Sequence, residues 1–271
     1  MHLPPHPLRT RLLNTDRIEL WPAGLLRARG NTDARAIARA HAVLRRKRDG
    51  LYLATVQGDG VLALVPRLAR EAGIDEALDA LALAESHPGR GPVPAPQPLP
   101  LERLHERLAA LGVDREDYQA RTGLAPLAEP DWLVFAGRDR WLRPLWLQPR
   151  AARAWLAMRR AAAGEGVALD AISGYRSHDY QLGIVERKLA RGQTLGQILT
   201  VNAAPGYSEH HGGDALDIGT RGEPPAEESF EATPAFAWLR THAASHGFLM
   251  SYPRDNPHGI VYEPWHWRYA G

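Results

Sequence analysis

The stretch YSEHHGGDALDIGT, Tyr207–Thr220, sets adjacent histidines, His210 and His211, and two aspartates, Asp214 and Asp217, among three glycines. Neither a stable helix nor a regular strand favours that composition, so a turn lined by polar side chains is predicted. Near the C-terminus, EPWHWRY spans Glu263–Tyr269. Alternation along a strand puts Trp265, Trp267 and Tyr269 on one face and His266 and Arg268 on the other. Pro264 cannot donate to a sheet ladder, which predicts a bend that brings Glu263 beside His266. In the earlier stretch, the glycine turn followed by strand-like ALDIG can return Asp217 towards His210. Two imidazole nitrogens and one carboxylate oxygen, from His210, His266 and Asp217, could then converge. That donor set suits zinc, with three protein ligands and a fourth position left for water. Bound zinc lowers the pKa of water to about 7, and a carboxylate such as Glu263 can pass the proton to a leaving amine. The chemistry is hydrolytic.

Taken singly, each piece has a plainer explanation. SEHHGGDALD is also the composition of a polar surface loop, EPWH that of a packed strand end, and Arg176 in SGYRS that of a solvated turn. Their co-occurrence points to a site. Composition narrows the field further: with no cysteine, disulfides, thiolate nucleophiles and cysteine-bound metals are excluded, and any metal must use His, Asp or Glu. The formal charge of +2 comes from nearly balanced acids and bases, and no basic stripe with interleaved aromatics occurs, so no nucleic-acid partner is expected.

A chain of 271 residues predicts two domains. The clearest boundary is HPGRGPVPAPQPLP, residues 87–100, where prolines and glycines favour an extended linker. Before it, residues 1–86 form an accessory α+β region: NTDARAIARAHAVLRRKRDG predicts one helix from a cap at Asn31 or Thr32 to Gly50, and LYLATV, GDG and VLALV predict a β-hairpin. The basic run RRKR at 45–48 then falls at a helix end and faces solvent. Residues 101–130 read as a connection of two short helices, each closed by glycine. From 131 to 271, strand-like DWLVFAG, the helix QPRAARAWLAMRRAAAGEG, the strand-to-turn VALDAISGYRS, the helix SHDYQLGIVERKLARG and a closing buried strand GIVYEPWHWRYAG predict a second α+β domain.

Three segments of that domain, SGYRSHDYQ, SEHHGGDALDIG and YEPWHWRYAG, in that order, resemble the signature segments of VanY-type D-alanyl-D-alanine carboxypeptidases, within the zinc metallopeptidase group that includes lysostaphin-like enzymes and hedgehog domains. The resemblance covers residues 131–271. The second segment fits the family form S-x-H-x-x-G-x-A-x-D throughout, and the third supplies E-x-W-H. The resemblance implies a small antiparallel sheet flanked by helices around a zinc site, with His210, Asp217 and His266 as ligands and Glu263 as general base. It also implies that Arg176 holds the substrate's terminal carboxylate, assisted by Ser208 and Gln181. A guanidinium is the planar, permanently charged match for that carboxylate, which an endopeptidase would not need. His211 reads as a neighbour of the ligands, because adjacent side chains on extended backbone diverge. Asp214 occupies an unspecified position. The first 130 residues have no counterpart in the resemblance.

The implied partners are peptidoglycan stem peptides or muropeptides. Residues 1–20 show no signal peptide, and no run of about 18 apolar residues suggests a membrane span, so a cytoplasmic location is expected. From that location follows the expectation of L,D-cleavage of recycled tetrapeptides rather than D,D-cleavage of pentapeptides. The other classes are a wall-lytic endopeptidase and a non-catalytic module that binds wall peptide or a partner protein.

Overall fold

Short apolar runs, RLLN, IELWP, AVLRR and YLATVQ, build an antiparallel sheet early in the chain. The computed structural model describes residues 8–28, 30–86 and 94–271. Two units emerge: Met1–Leu99 with Pro130–Phe135, and Pro100–Glu129 with Ala136–Gly271. Residues 1–7 of the N-terminus, and 87–93 of the expected linker, lie outside the described residues. No helix among the described residues is long and apolar enough to cross a membrane.

The first unit contains β1 (Arg11–Asn14), β2 (Ile18–Pro22), α1 (Asn31–Arg39), β3 (Ala42–Arg46), β4 (Tyr52–Gln57), β5 (Gly60–Ala63), α2 (Ile74–Ser86) and the first residues of β6 (Trp132–Arg138). Its strands run in the order β5-β4-β3-β2-β1-β6. Leu20 opposes both Leu13 and Leu44 in register, and these strands pack with Ile74, Ala77 and Leu81 of α2. Val43 and Tyr52 form a second cluster with Ile37 and Ala40. The hairpin expected at 51–65 is present as β4 and β5, paired from Ala54↔Ala63 to Gln57↔Gly60.

The helix expected from residue 31 to 50 ends at Arg39, and the rest becomes β3. No glycine or proline marks the break, and Ala, Leu and Arg are good helix formers, so local propensity continues through it. Tertiary pairing decides otherwise: Ala42–Arg46 is a central strand, hydrogen-bonded between β2 and β4. RRKR therefore caps no helix. Arg45 pairs with Glu19 at 2.6 Å, Arg46 reaches Asp49 at 2.6 Å and Glu71 at 2.8 Å, and Lys47 is buried.

The second unit begins with α3 (Glu102–Ala110) and α4 (Arg115–Thr122), the latter capped by the Asp114 carboxylate and ended by Gly123 at φ 64°. Leu104, Leu108, Val113 and Tyr118 pack with Ala203, Ala204, Tyr207 and Tyr252. Of residues 101–130, expected as a connection, 101–129 thus belong to this unit and contribute to its core, because an amphipathic helix must bury its apolar stripe. Next come β7 (Pro144–Leu147), α5 (Pro149–Gly164), β8 (Asp170–Ser173), α6 (His178–Ala190), α7 (Leu195–Val201), β9 (Ala215–Gly219), α8 (Pro234–His242), β10 (Phe248–Met250) and β11 (His266–Tyr269). Helix α5 buries Ala151, Trp155, Met158 and Ala162, a one-sided stripe. The sheet is antiparallel in the order β10-β11-β9-β8, the small sheet with flanking helices expected from the sequence. The closing strand is shorter than expected. Pro264 and Trp265 form a turn, and ladder pairing starts only at His266.

A candidate metal centre

Register places the site. Asp217 on β9 stands opposite His266 on β11 and opposite Ser173 on β8, so one buried strand carries a carboxylate flanked by both neighbours. Residues directly opposite on antiparallel strands hold their Cβ atoms about 5 Å apart, close enough for an Asp and a His to share one small ligand. His210 arrives from the 3-10 turn Glu209–Gly212, which Gly213 closes at φ 76° and which Gln148 anchors by donating to Gly212 O at 2.9 Å. His210 Nε2 and His266 Nδ1 each lie 3.2 Å from Asp217 Oδ1. The candidate ligand atoms of the three buried residues all fall within 4.8 Å of one another.

The remaining nitrogens are occupied in the way a ligand histidine requires. His210 Nδ1 lies 2.8 Å from Gly174 O, and as the donor there it leaves Nε2 for a metal. His266 Nε2 lies 2.8 Å from Glu209 Oε2, leaving Nδ1. A tetrahedral ion with bonds of about 2.0–2.1 Å needs donor atoms roughly 3.3 Å apart. Both nitrogens meet that spacing to Asp217 Oδ1, and two imidazoles plus one carboxylate is a zinc donor set. Burial, together with the Arg176 charge, lowers the His210 pKa to about 4, so this imidazole is neutral. Burial would lower His266 too, but the bonds and charges of Asp217 and Glu209 outweigh it and push the group up to about 10. Asp217 is buried, yet the Arg176 charge and the bond with His266 hold its carboxyl well below the usual range.

Glu263 sits beside this cluster, its Oε2 3.9 Å from His266 Nδ1. The bend expected at Pro264 brings it there, with His266 N–H donating to Glu263 O at 3.1 Å. Burial pushes its carboxyl up to about 7. Arg176, three residues beyond the end of β8, donates from Nε to Ser173 Oγ at 2.8 Å and from its terminal nitrogen to Asp217 Oδ2. Ser208 precedes the 3-10 turn, is buried, and spends no side-chain bond on capping it. Gln181 is placed otherwise than its expected role requires: it is 2% exposed, its Nε2 donates to Ala203 O at 3.1 Å, and its buried Oε1 has no hydrogen-bond partner among the described residues. In this arrangement it ties α6 to the 203–206 segment.

His211 is no ligand. Its Nε2 accepts from Gly206 N–H at 3.0 Å and its Nδ1 donates to Arg176 O at 2.7 Å, so both nitrogens are spent on backbone. Asp214 lies just before β9, where burial raises its carboxyl to about 6. Sequence reasoning missed Glu209, which lies inside the quoted segment at an unspecified position, and Tyr252, whose ring lies 4.8 Å from that of His266. It also missed Glu129 and His178. Glu129 carries no motif, and only its long-range hydrogen bonds reveal it.

Comparison with known proteins places this geometry. The VanY family, D-alanyl-D-alanine carboxypeptidase, matches residues 144–271. The bifunctional D-Ala-D-Ala dipeptidase and D-Ala-D-Ala carboxypeptidase VanXYC of Enterococcus gallinarum is 32% identical over 151 residues, 53% of this chain and 76% of that protein. A D-alanyl-D-alanine carboxypeptidase of Enterococcus faecium is 37% identical over 101 residues, 36% of this chain and 29% of that protein. The chain spans less than half the length of several curated relatives it matches. Among solved structures, the LdcB LD-carboxypeptidase shares 35% identity over 46% of this chain and 60% of its own, with a TM-score of 0.44. VanYB in complex with D-Alanine-D-Alanine shares 31% over 47% and 73%, with a TM-score of 0.40. A third of the residues identical along three quarters of a curated member, together with a family match over 144–271 that contains the buried triad, means that this chain belongs to the VanY-type D-alanyl-D-alanine carboxypeptidase family.

Proposed function

We propose that the chain is a zinc carboxypeptidase that releases the C-terminal D-amino acid of peptidoglycan stem peptides. The observation that carries this reading is the convergence of His210 Nε2, Asp217 Oδ1 and His266 Nδ1, with the Glu263 carboxylate 3.9 Å from His266 Nδ1. Zinc held by His210, Asp217 and His266 supplies Lewis acidity towards a peptide carbonyl and towards water. Glu263 accepts a proton from the attacking water at its carboxylate and returns it to the departing amine. Arg176, already within the cluster through Asp217 Oδ2, pairs with the substrate's terminal carboxylate and so selects a free C-terminus. The Ser208 hydroxyl adds a hydrogen bond to the bound peptide. The support for these roles is the geometry of the unit together with the names of the relatives.

The curated relatives are named for D-Ala-D-Ala, whereas the expectation from sequence was L,D-cleavage of tetrapeptides. The two bonds differ in one centre, on the amino side of the cut. Relative kcat/KM on soluble tetrapeptide and pentapeptide stems, with products identified by mass, reads the preference, and a tenfold ratio corresponds to about 1.4 kcal/mol in transition-state binding. Release of single D-alanine from either stem supports the reading. Release of larger fragments makes the chain an endopeptidase, and binding without cleavage makes it a recognition module.

A further inference from the structure

The residue that positions the carboxylate clamp lies ahead of the family-matched residues 144–271. We infer that Glu129 is a positioning residue for Arg176, an inference that rests on reading Arg176 as the clamp. Arg176 sits in the four-residue connection Gly174–Ser177 between β8 and α6, a short segment with no regular structure of its own. The Glu129 carboxylate, 3% exposed, grips that connection on both sides of the arginine. Its Oε1 accepts the His178 backbone N–H at 2.7 Å, and its Oε2 accepts the Tyr175 hydroxyl. His178 Nδ1 lies a further 3.3 Å from Oε1.

Glu129 is itself held in place. Two residues upstream, Leu127 N–H donates to Gly206 O at 2.7 Å and Leu127 O accepts from His178 Nε2 at 2.8 Å. On the other side of the connection, Arg176 N–H donates to His210 O at 3.3 Å and Arg176 O accepts from His211 Nδ1 at 2.7 Å. The arginine backbone is thus suspended between the turn that carries a proposed ligand and the Tyr175 hydroxyl and His178 N–H that Glu129 holds. A buried carboxylate is costly unless fully hydrogen-bonded, and an apolar contact would join the 127–129 segment to α6 at less cost. The bonds shown for this carboxylate go to residues flanking Arg176. A charge-assisted bond to the first N–H of a helix also suits an acid, so the arrangement stiffens the start of α6 at the same time.

The test uses the full zinc-loaded chain and its Glu129→Gln and Tyr175→Phe variants. Hydrogen exchange over residues 175–178 is expected to quicken at least ~10-fold in Glu129→Gln, with less effect in Tyr175→Phe, while zinc content stays at the parental level. On a pentapeptide or tetrapeptide stem, KM is expected to rise about tenfold with kcat within about twofold, because a loosened clamp loses ground-state and transition-state binding together. Unchanged exchange over 175–178 in both variants overturns the inference, as does a fall in kcat at constant KM. Should Glu129→Gln fail to fold, Tyr175→Phe decides. A parent that binds zinc yet cleaves neither stem counts against the proposed function alone, and the exchange result still decides the role of Glu129.

Discussion

The proposed reaction draws on Glu263 and His266, and each makes a separate prediction. Glu263→Gln preserves shape and cannot accept a proton, so zinc should remain bound while turnover falls at least ~10²-fold. Near-parental turnover would remove Glu263 from the mechanism. The protonation of His266 predicts how the metal binds. With its pKa pushed up to about 10, His266 carries a proton on each nitrogen at pH 8, whereas His210, lowered to about 4, is neutral and Asp217 is already ionised. A metal taken at Nδ1 must displace that proton, so zinc uptake at pH 8 should release at least about one proton per ion, with the zinc-bound water adding to it, and affinity should weaken at least about tenfold for each unit the pH falls below that. Calorimetry in buffers of different ionisation enthalpy reads the release, and a value near zero would contradict the ligand set. The role of Glu209, 2.8 Å from His266 Nε2, was not legible in the sequence because it depends on a bond spanning 57 residues.

Sheet register does what the motifs alone do not. The sequence indicated that His210, Asp217 and His266 could meet, but the pairings Asp217↔His266 and Ser173↔Asp217 are products of strand assembly that no local pattern specifies. Most helices of the second unit were legible from their apolar stripes and glycine stops, as with Met158 in α5 and Gly123 after α4. β3 was not legible, because helix-forming residues there are overruled by strands on both sides. Gly174 shows how tightly the connection after β8 is built. A Cβ there would meet Leu145 Cδ1 at 2.8 Å and Trp146 O at 3.0 Å, and Gly174 O is the acceptor for His210 Nδ1. Gly174→Ala should therefore cost about 1–3 kcal/mol of stability and weaken zinc binding through His210. Denaturant unfolding and zinc competition check both, and a variant with parental zinc affinity would free His210 from that support.

At the scale of the molecule, the proposed ligands, base and clamp all come from the second unit, together with Glu129 from its 100–129 segment. Zinc should accordingly stabilise one unit. In calorimetry the transition of the second unit should rise with free zinc by about 2.7 kcal/mol at a hundredfold excess over Kd, while that of the first stays fixed. A uniform shift of both would mean that the first unit also binds the ion. The most direct measurement of the central claim is made on the zinc-loaded parent with two stem peptides that differ only at the terminus, one with a free carboxylate and one amidated. The account predicts release of single D-alanine from the free peptide, at least ~10²-fold faster than any cleavage of the amide, since only the carboxylate can pair with Arg176. Equal cleavage of the two, or no D-alanine from either, would contradict it.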